Sequence, residues 1–206
     1  MDGVQVPVQR QKPFDFCRDK SNTEAGVQIL PIAAVRVTLV RYQFLVDTYA
    51  TERLKVLSVW GMFRDEDLPI RPHPTDRRGR SFLEQMQHQC LSENAWFCNM
   101  LEIDVGAPPL PPAESRLGFV LQYSDDSAKR LEVLRSKTDD AWWEQEVAFF
   151  DVQRSRAWIM VRRIAHTSHH RGQQMAMLRM LGRDVFSNYG PTADTGEKVI
   201  YKPLPL

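Results

Sequence analysis

The sequence predicts an all-α protein, a four-helix bundle with an irregular N-terminal extension and C-terminal tail. Four segments of the 206-residue chain combine helix-start signals with apolar residues spaced three and four apart, which places them on one helical face. Only residues 146–153 have the composition of a strand, and no partner strand is evident. Four helices joined by short to medium connections are typical of a bundle.

The first predicted helix begins at Pro31 and ends before Gly61. Proline suits the first helical position, and glycine suits the residue past the end. Apolar residues recur between them at helical spacing: Val35, Leu39, Phe44, Tyr49 and Leu54. We expect residues 1–30 to form an N-terminal extension, residues 31–194 the bundle, and residues 195–206 a tail.

The second and third predicted helices have polar start signals. Ser81 and Glu84 form an S-x-x-E capping box, and the helix that follows is predicted to run to about Asp104. A proline-rich linker comes next. Ser124, followed by two aspartates, is expected to cap the third helix, which runs to about Lys137.

The fourth predicted helix begins at Ser155 and stops at Gly182. Its apolar residues cover much of its circumference: Trp158, Val161, Ile164, Met175 and Leu178. Since a helix that is apolar on most sides is buried, this one is expected to be the most buried of the four.

The charge of the chain argues against nucleic acid and membrane partners. Lys plus Arg number 27 and Asp plus Glu 26, which leaves a formal net charge of +1. Such a balance offers no net field to attract phosphate backbones or anionic lipid. The longest apolar stretches are interrupted by polar residues: Arg36, Arg41, Gln43 and Asp47. We therefore expect no membrane span.

The three cysteines and the first residues favour a cytoplasmic protein. Cys17, Cys90 and Cys98 are odd in number and lack C-x-x-C spacing. Cys90 and Cys98 also lie too far apart on one helix to bridge each other, so reduced thiols are expected. The first sixteen residues carry no apolar segment of the secretory kind.

Three of the five histidines lie within five residues on the fourth predicted helix. Residues i and i+4 share a helical face, so His166 and His170 can direct two imidazoles to one metal ion. His169 points to the flank of this pair, and spacing alone does not decide between it and His170. His73, between two prolines in a charged loop, is expected to be exposed.

A third ligand is expected from the second predicted helix, where His88 is the one histidine. Small or polar residues share its face: Glu84, Ser92, Ala95 and Asn99. Three protein ligands with open positions are typical of a catalytic metal site. A single histidine on a helix is more often simply packed, so spacing alone leaves the three-histidine site one hypothesis among others.

Residues 166–182, HTSHHRGQQMAMLRMLG, resemble the last-helix signature of the DinB/YfiT-like family of metal-binding four-helix proteins, H-x-x-x-H-R-G-Q. The resemblance implies His166 and His170 as ligands and selects His170 over His169. Residues 79–97 resemble the second-helix pattern that supplies His88, followed by Glu93 and Trp96.

Weaker similarity covers the first predicted helix and the YGPTAD segment, residues 189–194. The resemblance implies up-down-down-up connectivity, a divalent metal, zinc or nickel, and a homodimer. Related proteins include transferases that add low-molecular-weight thiols to electrophiles, and thiol-dependent isomerases.

The function that the resemblance implies for the three-histidine site is metal-dependent transfer of a low-molecular-weight thiol to a small electrophile. Metal-dependent hydrolysis is the alternative, with Glu84 or His169 as the candidate proton shuttle. A non-catalytic stress protein, whose metal holds the helices together, is a further alternative. Arg163 is interpreted as a residue that extends to solvent, although binding of a substrate carboxylate is the other interpretation.

Overall fold

Four long helices make up most of the structure, a computed structural model. The helices are α1 (Gln43–Met62), α2 (Phe82–Met100), α3 (Arg116–Arg135), the short α4 (Asp140–Glu144) and α5 (Arg156–Met180). Two strands, β1 (Glu146–Phe149) and β2 (Val152–Ser155), lie between α4 and α5, and a 3₁₀ turn, Asp65–Asp67, follows α1. The protein is therefore mostly helical, as the sequence predicts.

The structure describes residues 41–188 and residue 190. The extension 1–30, the helix start at Pro31 and Cys17 lie outside this range. The YGPTAD segment, apart from Gly190, and the tail also lie outside this range.

The bounds of α1 differ from the prediction. Arg41 and Tyr42, which the prediction placed inside the first helix, form a turn, and α1 begins at Gln43. Gly61 lies inside the helix, and the chain leaves helical geometry at Phe63, whose backbone is extended.

The capping box predicted for α2 is present. The Ser81 hydroxyl accepts from the Glu84 amide at 3.2 Å, and the Glu84 carboxylate accepts from the Ser81 amide at 2.9 Å. The helix ends at Met100, before the predicted Asp104, because Glu102 adopts a left-handed backbone with φ of 55°. Only a non-helical turn can contain such a φ.

The predicted start of α3 at Ser124 is wrong. Ser115 is the N-cap, its hydroxyl accepting from the Gly118 amide at 3.1 Å, and Ser124 lies in the middle of the helix. Ser115 follows the proline-rich linker directly, so it can cap the first turn that the chain is free to form. The helix ends at Arg135, two residues before the predicted Lys137.

The segment after α3 contains a short helix and a hairpin that the sequence did not predict. The β1 and β2 strands pair with each other in antiparallel register, from Glu146 with Ser155 to Phe149 with Val152. The partner strand thus comes from the same segment. Its two-residue turn places Phe150 at a φ of 54°, a conformation that bulky residues rarely adopt.

Both predicted ends of α5 are confirmed. The Ser155 hydroxyl accepts from the Trp158 amide at 3.2 Å, and Gly182 follows the helix with a φ of 63°. A glycine is suited to this position because a left-handed backbone costs it nothing.

Two apolar clusters fill the interior, separated by buried polar side chains. The first cluster surrounds Trp60 and Met86, and the second surrounds Tyr49 and Phe97. The residues between them, which we call the polar layer, are Glu93, Asp126, Arg130 and Arg163. Packing joins α1 to α3 and α5, and α2 to α5 and α3. Within residues 41–188, no helix is long and apolar enough to cross a membrane.

Candidate metal centre

Three imidazoles from two helices converge at one point of the structure. Nε2 of His166 lies 3.3 Å from Nε2 of His88 and 3.2 Å from Nε2 of His170. One ring nitrogen from each residue lies within 4.8 Å of the other two. His170 is buried, whereas His88 and His166 are half-buried, so the group faces both the core and solvent.

The helical register explains why these histidines meet. His166 and His170 lie one turn apart on α5, and α2 packs against α5 and carries His88. His169 is exposed and outside the group, with its Nε2 3.1 Å from the side-chain amide nitrogen of Gln173. His73 is exposed in the loop before α2, as expected, and its Nδ1 accepts from the Thr75 and Asp76 amides.

The spacing of the three nitrogens fits a divalent cation. A tetrahedral ion about 2.0–2.1 Å from each ligand nitrogen holds two such nitrogens about 3.3–3.4 Å apart. The two observed distances, 3.2 and 3.3 Å, are close to this separation. Three ring nitrogens that face each other without an oxygen acceptor form a set of donors suited to such an ion.

The electrostatic surroundings keep the imidazoles neutral. Burial lowers the pKa of His166 to about 3, an effect that the Arg163 charge reinforces. Burial likewise lowers the pKa of His170 to about 4 and, together with the Arg80 and Arg163 charges, lowers the pKa of His88. A neutral imidazole retains the lone pair that metal binding requires.

Arg163 does not extend to solvent, so the sequence interpretation of this residue is wrong. Its side chain is 1% exposed, and its guanidinium donates to the Glu93 carboxylate at 3.1 Å and to the Ser92 hydroxyl at 2.9 Å. A guanidinium held by a buried carboxylate is not available to a substrate carboxylate. The wrong interpretation came from treating α5 alone, since the acidic partner lies on α2.

Glu93 is the centre of the polar layer. It is fully buried, and its carboxylate accepts from the hydroxyls of Tyr49 at 2.7 Å and Tyr123 at 3.0 Å. A second arginine, Arg130, lies 3.5 Å away. Two cations and two hydroxyl donors compensate for the loss of hydration of this carboxylate.

The polar layer reaches the candidate metal centre through Arg163, whose Nη1 lies 3.3 Å from Nδ1 of His166. A guanidinium can only donate, so this contact is a hydrogen bond when Nδ1 carries the lone pair. In a neutral ring the proton then lies on Nε2. Binding of a cation at Nε2 requires the opposite tautomer, with the proton on Nδ1.

Aromatic side chains cover one side of His166. The indole of Trp96 stacks on its imidazole, with ring centroids 5.7 Å apart and planes 22° apart. The ring of Phe149, in the hairpin, packs edge-on against Trp96 at 5.4 Å. The hairpin thus contributes to the wall of the site, a role that was not predicted from the sequence.

Together, the fold and the site define a mostly helical protein with a three-histidine group that could hold a metal ion. The chain belongs to the DinB family, whose model matches residues 43–199.

Among solved structures, the chain is similar to a DinB-like protein from Bacillus cereus ATCC 10987, with a TM-score of 0.62 and 18% identity. The match covers 71% of this chain and 97% of that one. At this identity the likeness shows a shared fold alone. No curated protein matches the chain.

Proposed function

We propose that this protein is a metal-dependent enzyme that transfers a low-molecular-weight thiol to a small electrophile. A divalent ion, zinc or nickel, would be held by His88, His166 and His170. The observation that carries the proposal is the convergence of their three Nε2 atoms, at 3.2 and 3.3 Å from His166 to its two neighbours.

The metal would supply a Lewis acid that binds the sulfur of the thiol and keeps it deprotonated at neutral pH. The protein's own part is then to hold the ion, to shield one side of it and to admit the substrate. Trp96, stacked on His166, shields one side. A cleft lined by His88 would admit the substrate.

The state of Glu84 favours thiol transfer over hydrolysis. Glu84 lines the cleft with His88, but its carboxylate accepts from the Ser81 amide at 2.9 Å and pairs with Arg71. These bonds lower the pKa of Glu84, led by the Ser81 amide, so this carboxylate is a weak proton acceptor. A thiolate held by the metal needs no protein base.

Hydrolysis is the second candidate because His169 remains available as a proton shuttle. It is exposed, its ring lies 5.2 Å from that of His170, and both residues line one cavity. A hydrolase would depend on His169 for turnover, whereas a thiol transferase would not. The His169→Gln variant therefore separates the two activities.

We propose for the four long helices the up-down-down-up connectivity that the family resemblance implies. The packing of α1 and α2 on both α3 and α5 supports a closed arrangement. A homodimer is proposed on the resemblance, and the exposed side chains of Phe150 and Trp158 are consistent with such an interface.

Metal analysis tests the proposed site. Wild type is expected to bind one divalent ion per chain, and His170→Ala to bind it at least about tenfold more weakly. His169→Ala is the matched control, one residue away on the same helix, and is expected to bind as wild type does. Equal metal affinity in His170→Ala and wild type would refute the site.

Activity assays test the reaction. The metal-loaded protein is mixed with an electrophile and each of bacillithiol, mycothiol, glutathione and coenzyme A, and the conjugate is measured by mass spectrometry. Loss of conjugation in a chelated protein that keeps its helical circular dichroism supports an enzyme. Unfolding on chelation, with no turnover of any thiol or ester, would instead support a metal that only holds the helices together.

A further inference from the structure

Two clefts border the three-histidine group and have two arginines in common, Arg78 and Arg80. The first, of about 550 Å³, is lined by Arg77, Arg78, Arg80 and His88, among others. The second, of about 300 Å³, is lined by Arg78, Arg80 and His170, among others. Both fall within or near the size range of small-molecule sites. A molecule that reaches the histidines through either cleft passes beside arginine side chains.

The arginines of this loop are not equally available to a ligand. Arg78 is occupied, because its guanidinium binds both carboxylate oxygens of Asp76, at 2.7 to 3.1 Å. Arg77 and Arg80 are exposed, and no carboxylate of residues 41–188 forms an ion pair with either. The guanidiniums of Arg77 and Arg80 therefore offer unpaired positive charge to a ligand in the first cleft, which both residues line.

A further arginine, Arg71, holds the backbone of the loop that contains Arg77 and Arg80. Its guanidinium donates to the Gly79 carbonyl at 2.7 Å and the Arg77 carbonyl at 3.4 Å, and also pairs with Glu84 at the start of α2. A Cβ on Gly79 would lie 3.2 Å from the Pro72 ring, so the chain is closely packed there. The positions of Arg77 and Arg80 relative to α2 are therefore set before any ligand binds.

The charge balance of the loop favours an anion. Between residue 71 and the first turn of α2, four arginines face the carboxylates of Asp76 and Glu84, and both carboxylates are already paired, with Arg78 and Arg71. Guanidinium groups bind carboxylate and phosphate through paired hydrogen bonds, and they repel cations. A neutral substrate would gain nothing from this arrangement.

We propose that the substrate of the three-histidine site carries a carboxylate or phosphate group, bound by Arg77 and Arg80 at the mouth of the cleft beside His88. This inference deepens the proposed function and rests on it, since it treats the cleft as the entry to that site. The anionic group is held by the loop before α2, and the reacting part of the molecule faces the histidines.

The first test compares two thiols on the Co²⁺-loaded protein. The probes are 3-mercaptopropionate, which carries a carboxylate, and the neutral 2-mercaptoethanol, and binding is followed by the thiolate-to-cobalt absorption band. Wild type is expected to prefer 3-mercaptopropionate. Arg77→Gln and Arg80→Gln should each weaken its binding about fivefold, without changing 2-mercaptoethanol binding. Arg135→Gln, an exposed arginine at the end of α3, is the control and should change neither.

A second measurement does not depend on a thiol. The Nε–Hε NMR signals of Arg77 and Arg80 are followed during titration with succinate and with methyl phosphate. Signal shifts that saturate at low salt and become smaller at high salt support the anion site. The compound that binds more tightly, succinate or methyl phosphate, identifies the anionic group as carboxylate or phosphate.

The outcomes separate this inference from the proposed function. If both thiols bind cobalt equally, in wild type and in both variants, and neither anion shifts the arginine signals, the anion site is refuted and the proposed function stands. If no thiol binds cobalt but the anions shift the arginine signals saturably, the proposed thiol chemistry is refuted and the anion site stands.

Discussion

The guanidinium of Arg163 contacts Nδ1 of His166 at 3.3 Å while it donates to Glu93 at 3.1 Å. One side chain thus joins the buried carboxylate at the centre of the polar layer to the candidate metal centre. The two contacts differ in their consequences. The bond to Glu93 stabilises the fold, whereas the contact with His166 favours the ring tautomer that cannot bind a cation through Nε2.

Arg163→Met is expected to change stability and metal affinity in opposite directions. Loss of the Arg163 guanidinium leaves the Glu93 carboxylate with one cation fewer, which should lower the free energy of unfolding of the metal-free protein by about 3 kcal/mol. Zinc affinity should rise about tenfold, because Nδ1 of His166 becomes free to carry its proton and a nearby positive charge is lost. Urea denaturation and chelator competition measure the two quantities.

Arg130→Met is the matched control for this prediction. Arg130 lies 3.5 Å from the same carboxylate, but its guanidinium donates its hydrogen bond to the Asn94 side chain and not to a histidine. Stability should fall in this variant with metal affinity unchanged. A loss of zinc affinity in Arg163→Met would mean that the arginine positions His166 for the metal, contrary to the tautomer argument.

Glu93→Gln is expected to be among the most destabilising substitutions, at about 3–5 kcal/mol. The change leaves Arg130 and Arg163 buried without the carboxylate that both contact. Glu144→Gln is the comparison, since the Glu144 pair with Arg41 is largely exposed and should contribute nothing measurable. Equal stability of the two variants in urea denaturation would show that the polar layer reorganises without cost.

Asp67 is expected to make stability depend on pH below about 4. Burial would raise the pKa of Asp67, but hydrogen bonds from Arg183 and from the Arg64 amide outweigh it and lower the pKa below the ordinary 3.8. The unfolded chain therefore takes up the proton first as pH falls. The stability contributed by the carboxylate is complete above the unfolded pKa and is lost as pH falls through the folded pKa.

Thermal unfolding of Asp67→Asn tests this sign. The variant should melt a few degrees lower than wild type at pH 6, with the difference shrinking towards pH 3. Asp76→Asn is the control, because the pKa of Asp76 is also lowered, by Arg78, but the pair lies on an exposed loop. A constant difference between wild type and Asp67→Asn from pH 6 to pH 3 would contradict the assignment.

The features that local chemistry specifies were predictable from the sequence. The capping box at Ser81, the N-cap at Ser155 and the glycine after α5 each depend on a few neighbouring residues. The spacing of His166 and His170 follows from the helical period. Choosing between His169 and His170 needed the family signature, because spacing does not distinguish them.

Most of the features that were not predicted from the sequence depend on contacts between residues distant along the chain. Arg163 was misread because its partner Glu93 lies on another helix, 70 residues away. The hairpin was missed because its turn is formed by Phe150 and Asp151, with Phe150 at positive φ, in place of the asparagine or glycine that marks such turns. The start of α3 was misplaced because Asp125 and Asp126 resemble the acidic first turn of a helix. Both lie inside α3, where Asp125 pairs with Lys129 and Asp126 accepts from the Gln122 side chain.

The buried cysteine is expected to be unreactive, which bears on the source of the thiol. Burial raises the pKa of Cys90 to about 12, so its thiol stays protonated at neutral pH, and burial also raises the pKa of the half-buried Cys98. With Cys17 and Cys98 changed to serine, Cys90 should react with a disulfide reagent only at the rate of global unfolding. Rapid labelling of the native protein would make Cys90 a candidate nucleophile.

Phe149→Ala is expected to weaken metal binding through Trp96. The Phe149 ring packs edge-on against this indole, which in turn stacks on His166, so the hairpin helps to fix the orientation of the imidazole. Removing the ring should lower zinc affinity by about three- to tenfold, since a ligand that can rotate loses entropy on binding.

Phe150→Ala provides the matched control for Phe149→Ala. Phe150 is the next residue in the hairpin and 81% exposed, and its ring contacts Phe149 but not Trp96. We expect zinc affinity in this variant to equal that of wild type, as measured by chelator competition. If Phe149→Ala also binds zinc as wild type does, α2 alone holds Trp96 against His166, and the hairpin has no part in the metal centre. If both variants weaken binding equally, the hairpin acts through its own stability and not through the contact between Phe149 and Trp96.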